Sequence, residues 1–370
     1  FPFIWNDFKK ELGYKTMYAE DMAFIGTFNM RFKGMKNQPV DHFPRSFQLS
    51  SSRFIKGDCI GGKTYARVNF EYGESFANAY KNQGFFGIFF LANYSHGSTE
   101  TIQYVDQDLL KFLEFFNSDE TFKRNTMLFI MSDHGPRFTY SRKSLSGLLK
   151  ERNPFLSVFA PEIFIKRYPN EYENLISNTK KLLTPMDIYR TWLDLIALEK
   201  SGKKSLHNDG RSLSLFSEIP MKRSCAEAGI DPHFCTCLKR TKLQINDTTK
   251  NIANEFVNFI NENLIKDIKH KCAKLETSKI YEAYLLEADL IKHQIFVDFI
   301  THKYFFQIET KNNNGGQFEF TVTEEIHKNN GTKKYIFDKR YISRINKYGR
   351  AADCIQKDFP SLREFCYCVV

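Results

Sequence analysis

The sequence predicts an α/β fold, a mostly parallel sheet flanked by helices, followed by a smaller disulfide-stapled α+β region. Three observations carry this. Over residues 1 to about 200, short apolar runs alternate with amphipathic stretches, which is the pattern of strand–helix alternation. Two of the runs, residues 85–92 (FFGIFFLA) and 126–131 (TMLFIM), are nearly unbroken, as expected of strands buried on both faces. Beyond about residue 220 the character changes, and seven of the eight cysteines lie there.

Taken in order, TMYA at 16–19 reads as a strand that ends at Glu20 and Asp21. Residues 85–92 form the next strand. Ile102, Val105, Leu109, Phe112, Leu113 and Phe116 recur at helical spacing, so 100–116 is predicted helical. Strands follow at 126–131 and 155–159. Thr184, Pro185 and Asp187 spell a helix start, with an N-cap, proline in the first turn and an acid three residues after the cap. Ile188, Trp192 and Leu195 are its apolar face. Helical patterns at 248–264 and 278–290 come next, then two strand-like runs, THKYFFQIET and GGQFEFTVTEEI, around the turn-rich NNNGG. The domains expected are 1–218 and 219–370.

At 370 residues the chain is long enough for one large core or two smaller ones. The 37 phenylalanines and 18 tyrosines make that core aromatic. No apolar run reaches the roughly 18 residues that a membrane helix needs. The net charge of +10 suits an anionic partner, but lysine and arginine are scattered and no nucleic-acid motif occurs. Two C-x-C pairs, Cys235/Cys237 and Cys366/Cys368, do not have zinc-site spacing and point to disulfides with separate partners. Sequons at Asn93, Asn246 and Asn330 add to an extracellular or secretory-pathway expectation. The chain begins at Phe1, so residue 1 is not expected to be a translation start.

In open parallel sheets, ligands bind beyond the carboxyl ends of the strands. One buried run leads into NYSHG with His96, the other into SDHG with Asp133 and His134. A carboxylate and a neutral imidazole on consecutive residues can reach one metal or one each of two, and zinc and manganese accept such mixed sets. Gly135 is expected to permit the turn that follows. The competing reading makes Asp133 a helix cap and His134 a residue packed on the sheet edge. Ser132 reads as a turn residue.

GDCIGGKT at 57–64 matches every fixed position of the phosphate-cradling G-x-x-x-x-G-K-[ST] loop. That loop must follow a buried strand and open a helix. Here the preceding SSSRFIK is polar. The stretch is therefore read as a turn anchored by Cys59 in a disulfide, with Lys63 on the surface or at a substrate rim.

The stretches FPFIWNDFKKELGYKTMYAEDM, PVDHFPR, GDCIGG, NYSHG followed by Asp106, TMLFIMSDHGPR, GLLKERNPFLSVFAPEIF, LLTPMDIYRTWLDL and RSCAEAGIDPHFCTC, with the closing CYC, resemble the alkaline phosphatase and sulfatase superfamily. They look closest to an animal branch of uncharacterised, sulfatase-like secreted proteins. The resemblance implies an alkaline phosphatase-like fold, N-terminally incomplete here. It makes Asp133 and His134 metal ligands for a divalent ion (zinc, manganese, calcium or magnesium). It makes His96 a contact to the substrate's anionic group or leaving oxygen. Asn93 stands where two-metal members carry Asp, which puts a full second metal site in doubt. Arg137 is placed to hold an anionic oxygen, or to form a surface ion pair. Residues 151–154 and Asp187 match structural signatures. The superfamily's first metal-binding acid and its nucleophile precede the segment that resembles the start of this chain, and no residue here takes their place.

The function expected is therefore a secreted, metal-dependent hydrolase-like protein for phosphate or sulfate esters. Its substrate would be an anionic small-molecule, lipid or glycan ester, and this chain alone is expected to be inactive. The alternative is a non-enzymatic extracellular protein that binds an anionic glycan or a protein partner.

Overall fold

The structure, a computed structural model, describes residues 3–24, 26–29, 32–54, 57, 59–96, 100–205, 210–287, 299–312 and 315–369. Its helices are α1 (Ile4–Leu12), α2 (Arg45–Phe54), α3 (Tyr65–Ala79), α4 (Asp106–Ser118), α5 (Glu120–Asn125), α6 (Leu145–Arg152), α7 (Glu162–Arg167), α8 (Pro169–Asn178), α9 (Pro185–Ser201) and α10 (Asp247–Phe259). The strands are β1 (Lys15–Glu20), β2 (Cys59–Ile60), β3 (Lys63–Thr64), β4 (Phe85–Phe90), β5 (Leu128–Met131), β6 (Leu156–Phe159), β7 (Lys239–Lys242), β8 (Thr277–Glu287), β9 (Phe299–Thr310), β10 (Gln317–His327) and β11 (Lys333–Arg344). The chain folds as two compact units. One comprises Phe1–Asp133 and Phe155–Ala228, the other His134–Pro154 and Gly229–Val370.

In the first unit, β1 and β4 run parallel, with Lys15 opposite Phe85 and Glu20 opposite Phe90. Period-2 alternation sends β4's side chains to both faces. Phe86 and Ile88 pack with Ile4, Phe8 and Ile196 from α1 and α9. Phe85 and Phe89 pack with Phe70, Phe112, Phe116 and Phe122 from α3, α4 and α5. The run is apolar because both faces are used, although its side chains are half-buried rather than fully enclosed. The core is aromatic as expected. Phe86 stacks on Phe8 at 4.3 Å, and Phe70 on Phe112 at 4.7 Å.

A mostly parallel sheet is not what the remaining strands make. Among the described residues the only parallel ladder of this unit is β1–β4, whereas β5 and β6 pair antiparallel, Leu128 opposite Phe159. The reason lies in the connection. Ser132 N donates to Phe155 O at 3.0 Å and Phe155 N to Ser132 Oγ at 2.9 Å, so the chain leaves and re-enters this unit at one point. A chain that returns to the end it left must run antiparallel. Ser132 is thus a turn residue that closes the neck of this excursion.

The fully buried Asp187 organises the end of this unit. Thr184 and Asp187 form the expected capping box at the start of α9. The same carboxylate accepts from Leu213 N at 2.7 Å and from both terminal nitrogens of the buried Arg223, at 2.8 and 3.1 Å.

GDCIGGKT is a hairpin. Cys59 pairs with Thr64 and Ile60 with Lys63, leaving Gly61 and Gly62 as the two turn residues, at φ 56° and 81°. A two-residue turn with both φ positive is the case that glycine is needed for. Thr64 caps α3 through Arg67 N, and Lys63 pairs with Glu71 at 2.8 Å. Asp58 lies outside the described residues. Cys59 is a free, exposed thiol, which corrects its assignment to a disulfide. The two glycines anchor the turn without a bridge.

In the second unit β11-β10-β9-β8-β7 form an antiparallel sheet. Phe306, Ile308, Phe318, Phe320 and Val322 face α10, where Phe256 stacks on Phe320 at 3.8 Å. The intervening residues of the same strands face the segment 134–154. Leu148 of α6 packs with Tyr284, Leu286 and Phe305, and Gln307 Nε2 donates to Arg142 O at 2.9 Å. The helix expected at 278–290 is instead strand β8 as far as Glu287, and its remainder lies outside the described residues. Two register shifts in the β8–β9 pairing break the alternation, so the sequence carries no period-2 signal for this strand. The expected runs around NNNGG are β9 and β10, and the 248–264 helix is α10 followed by a π turn at Ile260–Leu264.

Cys366 and Cys368 of one C-x-C do have separate partners, Cys272 and Cys354. In the other, Cys235 is disulfide-bonded and Cys237 is a free, exposed thiol. No helix among the described residues is long and apolar enough to cross a membrane.

Two outcomes follow. Asp187→Ala strands Arg223 as an unpaired buried cation, and should cost about 3–5 kcal/mol in urea unfolding; a loss under ~1 kcal/mol would contradict the anchoring role. Alkylation without reductant should label Cys59 and Cys237, and non-reducing peptide mapping should recover Cys272–Cys366 and Cys354–Cys368. The swapped pairing, Cys272–Cys368 with Cys354–Cys366, would be incompatible with this structure.

Candidate functional site

The first unit brings two strand ends side by side. Because β1 and β4 are parallel and in register, Asp21 and the loop 91–96 leave the sheet together. Asp21 N donates to Phe90 O at 3.3 Å. Its carboxylate accepts from Ala92 N at 2.8 Å and Asn93 N at 3.0 Å. The residue that follows β1 thereby fixes the turn that follows β4. His96 closes that turn, its backbone N donating to Ala92 O at 2.9 Å, and is exposed. Gly97 lies outside the described residues. Asp21 is only 6% exposed. Burial pushes its carboxyl up to about 6, against the opposing pull of the Ala92 and Asn93 amides. The neighbouring Glu20 is buried as well and accepts from Tyr18 Oη at 2.6 Å and Thr27 N at 2.7 Å. Asp133, one residue beyond the Ser132 neck, is exposed.

His134 belongs to the second unit and is half-buried. Its Nδ1 lies 2.7 Å from Gly135 O. A carbonyl only accepts, so Nδ1 carries the proton in this contact. Gly135 is not among the positive-φ glycines. A Cβ there would lie 2.1 Å from Lys150 O, and Gly135 N donates to Glu151 O at 2.9 Å. Glycine is required because two backbone segments touch. Arg137 is exposed and pairs loosely with Glu151, Nε to Oε1 at 3.6 Å.

The second unit also holds a network that the sequence does not announce. Glu319, fully buried on β10, accepts a hydrogen bond from Arg152 and forms an ion pair with Arg142, whose Nη2 lies 3.0 Å from Oε2. Burial raises its carboxyl, but Arg152 and Arg142, with His233, hold it below its ordinary value. Burial, followed by the field of Arg152, lowers His233 to about 3, so the imidazole is neutral. Its Nδ1 lies 2.8 Å from Thr321 Oγ1. The local signal, polar residues alternating with apolar ones in QFEFTV, is present but reads equally as a solvent-facing strand.

Among the described residues, the groups of three or more potential ligand side chains with ligand atoms within 4.8 Å of one another consist of cysteines. His96, Asp133 and His134 do not form such a group.

The chain is a mixed α/β protein with a small antiparallel C-terminal sheet and with disulfides. The family described as "Protein of unknown function (DUF229)" matches residues 1–281, and the chain belongs to it. No curated protein and no solved structure matches it.

Asp21 makes a signed prediction. Its folded pKa lies above the unfolded value, so the native state holds the proton more tightly. The associated stability is complete below about pH 4 and is lost as pH rises through about 6. Asp21→Asn has no such loss. Its stability relative to the parent should improve by roughly 3 kcal/mol between pH 4 and 7, read from urea midpoints at each pH. A pH-independent difference would show that the carboxylate is not desolvated.

Proposed function

We propose that this chain is a secreted, divalent-metal-dependent hydrolase-like protein for phosphate or sulfate esters, built on the alkaline phosphatase and sulfatase plan. The observation that carries the reading is the contact of His134 Nδ1 with Gly135 O, a backbone hydrogen bond of the kind that orients metal-ligating histidines. Asp133, the adjacent exposed carboxylate, completes an oxygen–nitrogen pair suited to zinc or manganese. Further support comes from the parallel β1–β4 pair with helices on both faces, and from strand ends that carry Asp21 and His96.

A bound metal would supply positive charge to stabilise the attacking oxygen and the ester oxyanion. The chain's own residues divide the remaining roles. Asp133 and His134 would hold the metal. Asp21 fixes the 91–96 turn, and His96 at its end contacts the anionic group or assists the leaving oxygen. Arg137, 54% exposed at its side chain, keeps donors for an anionic oxygen beyond its long contact to Glu151. The disulfides are compatible with an extracellular setting. The net charge of +10 favours a second reading, a non-enzymatic binder of an anionic glycan.

Elemental analysis of the secreted protein tests the first reading. The parent should retain a divalent metal that Asp133→Ala and His134→Ala each lose, with affinity down at least ~10-fold. Unchanged metal content in both variants would sink it. Salt-sensitive retention on a sulfated polysaccharide column, with no turnover of aryl phosphate or sulfate, would favour the second.

A further inference from the structure

The first unit contains a cavity that the hydrolase reading does not use. It lies between α2 and α3 under the β2–β3 hairpin, and its volume is about 320 Å³, within the range of small-ligand pockets. Phe47, Tyr65, Tyr72 and Val68 line it, and Phe47 is 53% exposed at the mouth. Two buried amides, Gln48 and Asn69, also line it.

Their hydrogen bonds fix both orientations. Asn69 Nδ2 donates to Tyr65 O at 2.8 Å, so Asn69 Oδ1 faces Gln48 and accepts from Gln48 Nε2 at 2.9 Å. This leaves Gln48 with one N–H and its carbonyl Oε1, neither bonded to any described residue. A 94%-buried amide with an unused donor and an unused acceptor side by side asks for a partner with the complementary pair.

No lysine or arginine is among the lining residues, and the lining Glu71 is engaged by two cations. Lys63 pairs with Glu71 at 2.8 Å, and Arg67 with Glu71 at 3.1 Å and Glu74 at 2.7 Å. Among the described residues, the pocket therefore has no free cation for a phosphate. Glu71, Ser75 and the two tyrosines also line the cavity and offer partners to the hydroxyls of a ribose. The unused amide pair and the aromatic lining suit a flat ring with an adjacent donor and acceptor on one edge. Adenine has that edge, and glutamine reads it with two hydrogen bonds.

We propose that the α2–α3 pocket binds a purine nucleoside, with the base between the aromatic walls and its 6-amino edge on Gln48. The amino group donates to Oε1, and the ring nitrogen beside it accepts from Nε2–H. Of the β2–β3 hairpin, Ile60 lines this pocket.

Calorimetric titration of the protein with adenosine tests this. One saturable site is expected. N6,N6-dimethyladenosine, which has no 6-amino hydrogen, should bind at least ~10-fold more weakly, and Gln48→Leu should weaken adenosine by a similar factor. Phe47→Ala, at an exposed position that does not threaten folding, should also weaken adenosine. Methyl glucoside should give no saturable heat, and ATP should bind no more tightly than adenosine. Absence of saturable adenosine binding would overturn the proposal. So would equal affinity for the dimethyl compound, preference for the glucoside or for ATP, or indifference to Phe47→Ala.

Discussion

A carboxylate can be taken out of water only where donors converge on it, and this chain does so at a few points on which its tertiary structure depends. Asp187 is the strictest case. Buried without its partners it would cost several kcal/mol. With Thr184, Leu213 and Arg223 around it, the start of α9 is tied to the backbone near residue 213 and to the Arg223 side chain. None of these contacts is worth much singly in water. Their value is specificity, since an alternative packing would leave a buried charge unmet.

Glu319 plays the same part in the other unit, with a different consequence. Its carboxylate faces away from α10, on the side of the sheet where Arg142 and Arg152 arrive. Those arginines belong to the segment 134–154, which is held to the sheet by charge as well as by Leu148. Gly135 lets that segment close on itself, and its neck is sealed at Ser132 and Phe155. The consecutive residues Asp133 and His134 thus belong to different units.

What the sequence disclosed is what is local. The Thr184 box, the helical faces at 106–118 and 247–259 and the strands at both sides of NNNGG are set by spacing within one element, and each is legible. Strand direction is not, because it depends on where a connection returns. The antiparallel β5–β6 pair follows from the neck at Ser132, 23 residues from its partner Phe155. β8 does not read as a strand because its bulges erase the alternation that marks one. Composition alone suggests a partner for Cys59, but pairing is a matter of position. At the candidate site, Asp133, His134 and His96 can be named from strand ends. Asp21 and the Glu319 network cannot, since burial and non-local donors decide what those carboxylates do.

The GDCIGGKT stretch shows why a motif is a physical hypothesis. A phosphate loop works because successive backbone N–H groups, left unpaired between a strand and a helix, turn inward around one anion. Here the residues flanking the two central glycines pair with each other across a hairpin, and those glycines are spent on its turn. The lysine that should reach a phosphate is held by Glu71, and the threonine that should reach a metal caps α3 and donates to Asp108 at 2.5 Å. Every residue type that the motif requires is present, and the two side chains that should do its chemistry are bonded elsewhere. The letters fix which groups are available. The backbone around them decides whether those groups point at a ligand or at each other.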